Sequence, residues 1–235
     1  RAKRGYQTDS KYRWDPTQPI PYFFDPSLPR DYVLLIRKGL AIWQNSSCLD
    51  FVENPNGNST LRFFLGPYCF ADLGRQGKRT QDVSIGVGCN NLGTVMHEIN
   101  HAIGFFHEVS RPDRNESVII NYDNVKSKEK YNFVENAAGA DNSFNVPYDY
   151  GSVMQYEQYA FANNTDVPTI VARNKWMQNT MGQRAGAAFS DVKQVNLAFQ
   201  CGAKCPAKSC ANGGIVNSRD CAKCLCPRGF AGDSL

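Results

Sequence analysis

The chain has 235 residues, is 42% hydrophobic, and sets Lys+Arg 26 against Asp+Glu 22 for a net charge of +4. With no long single-sign block it has little footprint for counterion-driven nucleic-acid binding, and no run of ~18 or more apolar residues exists to span a membrane. Nine cysteines, five of them between Cys205 and Cys226, argue against a reducing cytosol and for a secreted, extracellular protein.

Arg1-Ala2-Lys3-Arg4 opens the chain. It reads as a processing site for a secretory-pathway proprotein convertase cutting after Arg4, against the blander alternative of a solvated basic terminus. No apolar signal core precedes it, so a targeting segment is expected to have been removed already. Ile20–Phe24 is a predicted strand, bounded by Pro19 and by Asp25-Pro26. Leu28 to Trp43 carries Val33, Ile36, Leu40 and Trp43 near helical spacing, with Pro29 at its start. Strands are predicted at Leu49–Val52, Leu61–Leu65 and Val83–Val87, with Gly-rich turns between Leu73 and Gly77. The first hundred residues therefore predict a twisted sheet with a long helix laid on it, closed by a second helix from Leu92 to Ile103. After Gly104 Asn-rich loops dominate to about residue 188, followed by a short helix near Ser190–Phe199. That second half is expected to be pinned by a metal, a disulfide, or both. Four N-x-S/T sequons, at Asn45, Asn58, Asn115 and Asn163, agree with passage through a secretory pathway.

All three histidines of the chain lie between His97 and His107. On a helix His97 and His101 stand one above the other, so two imidazoles face one point. Glu98 lies one step round, where its carboxylate can reach a water without entering the ligand shell. Gly104 lets the chain leave the helix through a left-handed conformation, so that His107 can turn in as a third ligand. Continuing the helix would instead rotate His107 ~1000° from His97, leaving it some 80° off. Three neutral imidazoles with one open position describe a catalytic zinc site, one Zn2+ per chain, rather than a closed structural one. Zinc lowers the pKa of water to ~7 and polarises a carbonyl, and a neighbouring carboxylate can move the proton to a leaving amine. That chemistry cleaves amides.

H-E-x-x-H-x-x-G-x-x-H is the metzincin signature. With Glu108 directly after the third histidine, Arg111-Pro112-Asp113-Arg114 behind it, and Tyr148-Asp149-Tyr150-Gly151-Ser152-Val153-Met154-Gln155-Tyr156 further on, the chain resembles the astacin family of secreted zinc endopeptidases. The likeness runs from Trp14 and Ile20-Pro21-Tyr22 to Met181-Gly182-Gln183-Arg184 and Cys201. It implies an α+β, zincin-like protease of two subdomains over residues 5–201, after a residual propeptide at 1–4. It further implies that Met154 forms the Met-turn below the imidazoles and that Tyr156 steadies the oxyanion, where a phenol aimed at developing charge is effective. Taken alone, a Met in a loop is usually core and a Tyr is usually packing; their spacing within the motif is what raises them. By the same resemblance Glu108 anchors the amino terminus freed by cleavage, here Gly5. Two departures from the family pattern are Gln155 in place of His and Ile99-Asn100 in place of Leu-Gly; neither touches a ligand or the base.

Cys48, Cys69, Cys89 and Cys201 could pair in three ways. The resemblance selects Cys48–Cys201 and Cys69–Cys89. It also puts the substrate-binding edge strand at Phe70, Ala71, Asp72 and Leu73, where an extended polypeptide could add a strand. The cysteines at 205, 210, 221, 224 and 226 resemble an EGF-like module over residues 202–235, which implies Cys205–Cys221 and Cys210–Cys224. Cys226 is left without a partner, which reads as truncation. The layout resembles that of nematode astacins, associated with cuticle, moulting or tissue digestion. The competing reading is a catalytically silent adhesion or matrix-binding protein on the same fold; such proteins generally lose a ligand or the glutamate, and this chain keeps both.

Overall fold

The structure is a computed structural model and describes residues 6–137 and 141–230. In chain order its elements are β1 (Tyr6–Gln7), β2 (Ile20–Phe24), α1 (Arg30–Ser46), β3 (Phe51–Glu53), β4 (Thr60–Phe64), β5 (Cys69–Ala71), β6 (Thr80–Ile85), α2 (Leu92–Ala102), β7 (Val118–Ile120), β8 (Asp141–Asn142), β9 (Ile170–Ala172), α3 (Phe189–Ala198), β10 (Ile215–Val216) and β11 (Cys224–Leu225). A five-stranded sheet has the order β3-β2-β4-β6-β5. Its first four strands are parallel, and β5 runs antiparallel to β6 at the edge. Parallel neighbours require long crossovers, and α1 is the one between β2 and β3. Strand alternation sends Leu61 and Phe63 of β4, with Val83 and Ile85 of β6, into the core, where Ile36, Leu40 and Trp43 of α1 meet them.

α1 starts two residues later than the sequence predicts, because Pro29 serves as its N-cap in extended geometry (ψ 153°) rather than as its first turn. It also runs on to Ser46, since the Ser46 and Ser47 hydroxyls donate to the carbonyls of Ile42 (2.7 Å) and Trp43 (2.6 Å) without breaking the turn. The third strand differs too: β3 begins at Phe51, and Leu49 is core before it. β6 begins at Thr80 and stops before Gly86, because Thr80 and Gln81 pair in register with Thr60 and Leu61. The Trp14 indole donates to the Ala102 carbonyl at 2.8 Å, satisfying one of the orphaned acceptors at the end of α2.

The second half contains no disulfide within it, since no cysteine lies between Cys89 and Cys201, but Cys201 at its end is bonded to Cys48, the expected staple to the first half. It keeps a separate apolar cluster of Val109, Val118, Val125, Phe133, Ile170 and Met181, around the antiparallel pair β7–β9. Arg114, buried among them, donates to the carbonyls of Val109 (2.8 Å) and Phe133 (2.5 Å). A guanidinium with several fixed donors thus does in loops what a backbone ladder does in a sheet. Cys48 is bonded to Cys201, joining the end of α1 to the end of α3, and Cys69 to Cys89 beside the β5–β6 hairpin.

Beyond Cys201 the chain forms a small unit with β10 paired to β11 and the disulfides Cys205–Cys221 and Cys210–Cys224. Cys226 is the free cysteine among the described residues. This unit is clamped to the larger one by Arg219. Its Nε donates to the carbonyls of Gln44 (3.0 Å) and Ser47 (2.8 Å), its Nη2 donates to Leu49 O (2.6 Å), and it pairs with Asp50 at 2.9 Å. The last turn of α1 has no basic residue of its own, so a cation from 170 residues downstream meets the negative end of the helix. No helix among the described residues is long and apolar enough to cross a membrane.

Candidate active site

α2 starts where the Asn91 side chain accepts from Thr94 N at 2.8 Å, an N-cap that fixes the helical phase of everything after it. Gly93 N donates to Arg184 O at 3.0 Å, and a Cβ on Gly93 would stand 2.4 Å from the Arg184 backbone. The 181–184 segment can therefore cross α2 only at glycine distance. At the other end Gly104 N donates to His101 O (2.9 Å) and Phe105 N to Asn100 O (3.0 Å), with Gly104 at φ +114°. This is the paired-bond C-terminal cap that glycine permits, and it turns the chain so that His107 comes back toward the helix.

His97 Nδ1 lies 2.7 Å from Val153 O, and His101 Nδ1 lies 2.7 Å from Phe105 O. Each carbonyl accepts the Nδ1 proton and leaves Nε2 free, which is how outer contacts set the tautomer of a metal ligand. The Nε2 atoms of His101 and His107 are 3.0 Å apart, and one ligand nitrogen from each of the three rings lies within 4.8 Å of the others. Burial pushes His97 and His107 well below the usual imidazole range and His101 down to about 4. All three are neutral, the form that binds metal.

Glu98 is 4% exposed and its Oε2 has no hydrogen-bond partner. Burial pushes its carboxyl up to about 8, against the opposing charge of Arg184. A buried, unpartnered carboxylate beside three neutral nitrogens is short of positive charge, and this donor set fits zinc. A cavity of about 310 Å³ opens between the three imidazoles with Glu98 on one side and β5 with Leu73 on the other. Of the four predicted edge residues, Phe70 and Ala71 lie in β5, Leu73 follows it, and all three line the cavity. Asp72 does not: its carboxylate pairs with Lys78 at 3.4 Å.

The second motif closes the site from below. Val153 O holds His97, and Met154 O accepts from Glu108 N at 3.0 Å. Asp191, in the first turn of α3, accepts from Ser152 Oγ (2.6 Å), Val153 N (2.9 Å) and Ala188 N (2.7 Å). The Tyr156 hydroxyl lies 3.1 Å from His107 Nδ1, and its ring packs on Phe133 and Phe161. Burial raises its pKa, so it remains a proton donor. Beyond Tyr156 a second cavity of about 320 Å³ is lined by Glu157, Ala160, Phe161 and Arg184. A larger one, about 540 Å³, lies against Arg13, Trp14, Asp15 and Phe199 and shares none of these groups.

Glu108 is buried, and its Oε1 accepts from Arg111 Nη1 and from Asp149 N, both at 2.9 Å. Arg111 is wholly buried and also holds Asp113 bidentately at 2.8 Å. Arg4 and the amino group expected at Gly5 lie outside the described residues. The first described strand pairs beside this region, with Gln7 N donating to Gly104 O at 2.8 Å. Sequence reasoning missed the roles of Asp191, Arg184 and Arg111. The first two sit far from the histidines in the chain, and a charge in a loop has no periodicity to betray burial. The four sequon asparagines, Asn45, Asn58, Asn115 and Asn163, are all exposed.

A model of the Astacin peptidase family matches residues 6–200. The chain is 40% identical over 236 residues to the zinc metalloproteinase nas-28 of Caenorhabditis elegans, covering 100% of this chain and 48% of that protein. It is 39% identical to nas-34 of the same organism, covering 99% of this chain and 38% of the relative. The chain thus spans under half the length of these relatives. Among solved structures it is similar to high choriolytic enzyme 1, a hatching enzyme zinc-protease from the medaka fish Oryzias latipes. The TM-score is 0.74 at 30% identity, covering 82% of this chain and 96% of that one.

Proposed function

The chain belongs to the astacin family of peptidases, and on that premise we propose that it is a secreted zinc endopeptidase that hydrolyses peptide bonds of extracellular proteins. The observation that carries this reading is the conjunction at the cleft: three neutral imidazoles converging within 4.8 Å, with the unpartnered carboxylate of Glu98 beside them. Zinc, when bound by His97, His101 and His107, supplies an acidified water and a polarised scissile carbonyl. Glu98 takes the water's proton and returns it to the leaving amine, a role open to it because its Oε2 has no other hydrogen-bond partner. The Tyr156 hydroxyl donates to the developing oxyanion. Met154 acts as the apolar floor of the site. An extended substrate adds as a strand to β5, the edge of the sheet that lines the cleft.

The finer reading follows the same line. Residues 1–4 are the remnant of a propeptide cut by a convertase, and 5–201 are the catalytic domain, with Glu108 receiving the new terminus at Gly5. Residues 202–235 are an EGF-like module, for which the Cys205–Cys221 and Cys210–Cys224 pairing is the support. The exposed sequons carry glycans. Cuticle or matrix proteins are the substrates. A silent matrix-binding protein would lack a ligand or the glutamate.

The test is Glu98→Gln. It should keep zinc and fold while lowering turnover of a fluorogenic peptide by ~10²-fold or more. Full activity in that variant, or undiminished activity after zinc is chelated, overturns the proposal.

A further inference from the structure

Gln155 lies between Met154 and Tyr156 and is wholly buried, yet no step above uses it. A buried amide is costly unless both of its ends are partnered, and here both are. Its Oε1 accepts from the Tyr148 hydroxyl at 2.7 Å, and its Nε2 lies 3.4 Å from the sulfur of Met181. Its main-chain carbonyl accepts from both terminal nitrogens of Arg184, at 3.3 and 3.2 Å. Arg184 in turn accepts through its own carbonyl from Gly93 N at the start of α2. One residue therefore ties the 148–150 segment, the 181–184 segment and the histidine-bearing helix together, directly ahead of the tyrosine whose hydroxyl faces His107. The Tyr156 ring contacts Phe133, Phe161 and His107, and its hydroxyl lies 3.1 Å from His107 Nδ1, so its backbone position sets where that hydroxyl sits in the cleft.

We propose that Gln155 is a positioning residue that holds Tyr156 and Arg184 at the rim of the cleft, with the Tyr148 hydroxyl as its anchor. The proposal rests on the endopeptidase reading. A hydroxyl stabilises an oxyanion only at about 2.7–3.1 Å, and a displacement of about 1 Å costs up to ~10²-fold. Loosening the support should therefore lower kcat and leave KM nearly unchanged.

Gln155→Met approximately preserves volume but removes the acceptor for Tyr148 and the N–H donated to the Met181 sulfur. Tyr148→Phe removes the donor from the other side. Gln155→His restores, in its neutral form, one acceptor and one N–H in place of the amide. Each is made in the full chain and loaded with zinc. Zinc per chain, the urea midpoint, and kcat and KM on an internally quenched peptide are then measured at pH 8. Gln155→Met and Tyr148→Phe should each lower kcat about tenfold with KM within about twofold. Their combination should cost no more than the worse single change, the mark of residues acting through one bond, and Gln155→His should recover kcat to within about threefold of the starting protein. A normal kcat in both single variants, additive losses, or a kcat loss that merely follows lost zinc or a lowered midpoint overturns the proposal. If the unaltered chain cleaves nothing, or Glu98→Gln is equally active, the endopeptidase reading fails instead. An active chain silenced by Glu98→Gln but indifferent to both Gln155→Met and Tyr148→Phe sinks this inference alone.

Discussion

Asp191 braces the Met154-bearing segment from the first turn of α3, and its substitution has a pH signature. Three donors converge on it, from Ser152, Val153 and Ala188. Asp191→Ala strands the Ser152 and Val153 donors in a buried place and Ala188 N in a half-buried one, at about 1–3 kcal/mol for each buried donor that loses its partner. A total of about 2–6 kcal/mol for the two buried donors is a large share of the ~5–15 kcal/mol that holds a domain folded. Asp191→Asn is different, since its carbonyl still accepts both N–H groups and the Ser152 hydroxyl can reverse. Burial, outweighing these hydrogen bonds, pushes the Asp191 carboxyl from its ordinary 3.8 up to about 6. The folded chain therefore holds this proton more tightly than the unfolded chain. The stabilisation is full below pH 3.8 and is lost as pH rises through about 6; at 1.36 kcal/mol per pKa unit it amounts to ~3 kcal/mol. Asparagine does not titrate. The stability of the unaltered protein relative to Asp191→Asn should thus fall by about 2–3 kcal/mol between pH 4 and pH 7.5. Urea unfolding of metal-free protein checks this without interference from zinc release. A gap between the two that stays constant over that range, or an alanine variant as stable as the asparagine one, refutes the reasoning. Because Val153 O orients His97, the alanine variant should also lose about 10–100-fold in zinc affinity.

Gly104→Ala should cost about 1–3 kcal/mol, because φ +114° is strained for alanine and the new Cβ would meet the Tyr6 ring at 2.8 Å. Competition with a chromophoric chelator should show weaker zinc binding, since His107 depends on that turn; unchanged affinity would contradict it. Arg219→Ala removes the donors to Gln44, Ser47 and Leu49 and should cost about 1–3 kcal/mol, seen as a lowered thermal midpoint. It should also let a protease cut between Gly202 and Cys205, and an unchanged digestion pattern would argue against the clamp.

The histidine cluster was legible because a helix is a local object: the spacing of His97, His101 and Gly104 places two ligands and a turn without reference to the rest of the chain. The strand Ile20–Phe24, and within one residue at each end the strand predicted at Leu61–Leu65 and found at Thr60–Phe64, were legible for the same reason, since an apolar run between breakers needs no partner to be recognised. Short elements were not. β7 and β9 have three residues each, and only pairing across the fold makes them strands; β5, equally short, was placed by the family resemblance and not by its pattern. The second half was legible only in part: the expected staple is present as Cys48–Cys201 at its end, but the apolar cluster and two buried arginines that also hold it leave no periodic signal.

What the local sequence determined is the set of chemical groups and the helix that aligns them. What only the tertiary structure decided is their environment: which carbonyls fix the tautomers of His97 and His101, that Glu98 is left without a partner, and that Asp191, Arg184 and Gln155 brace the site. Burial and charge are sums over neighbours brought from anywhere in the chain. Val153 is 56 residues from His97 and Asp191 is 38 residues beyond Val153, and no window of sequence short enough to have a period contains all three.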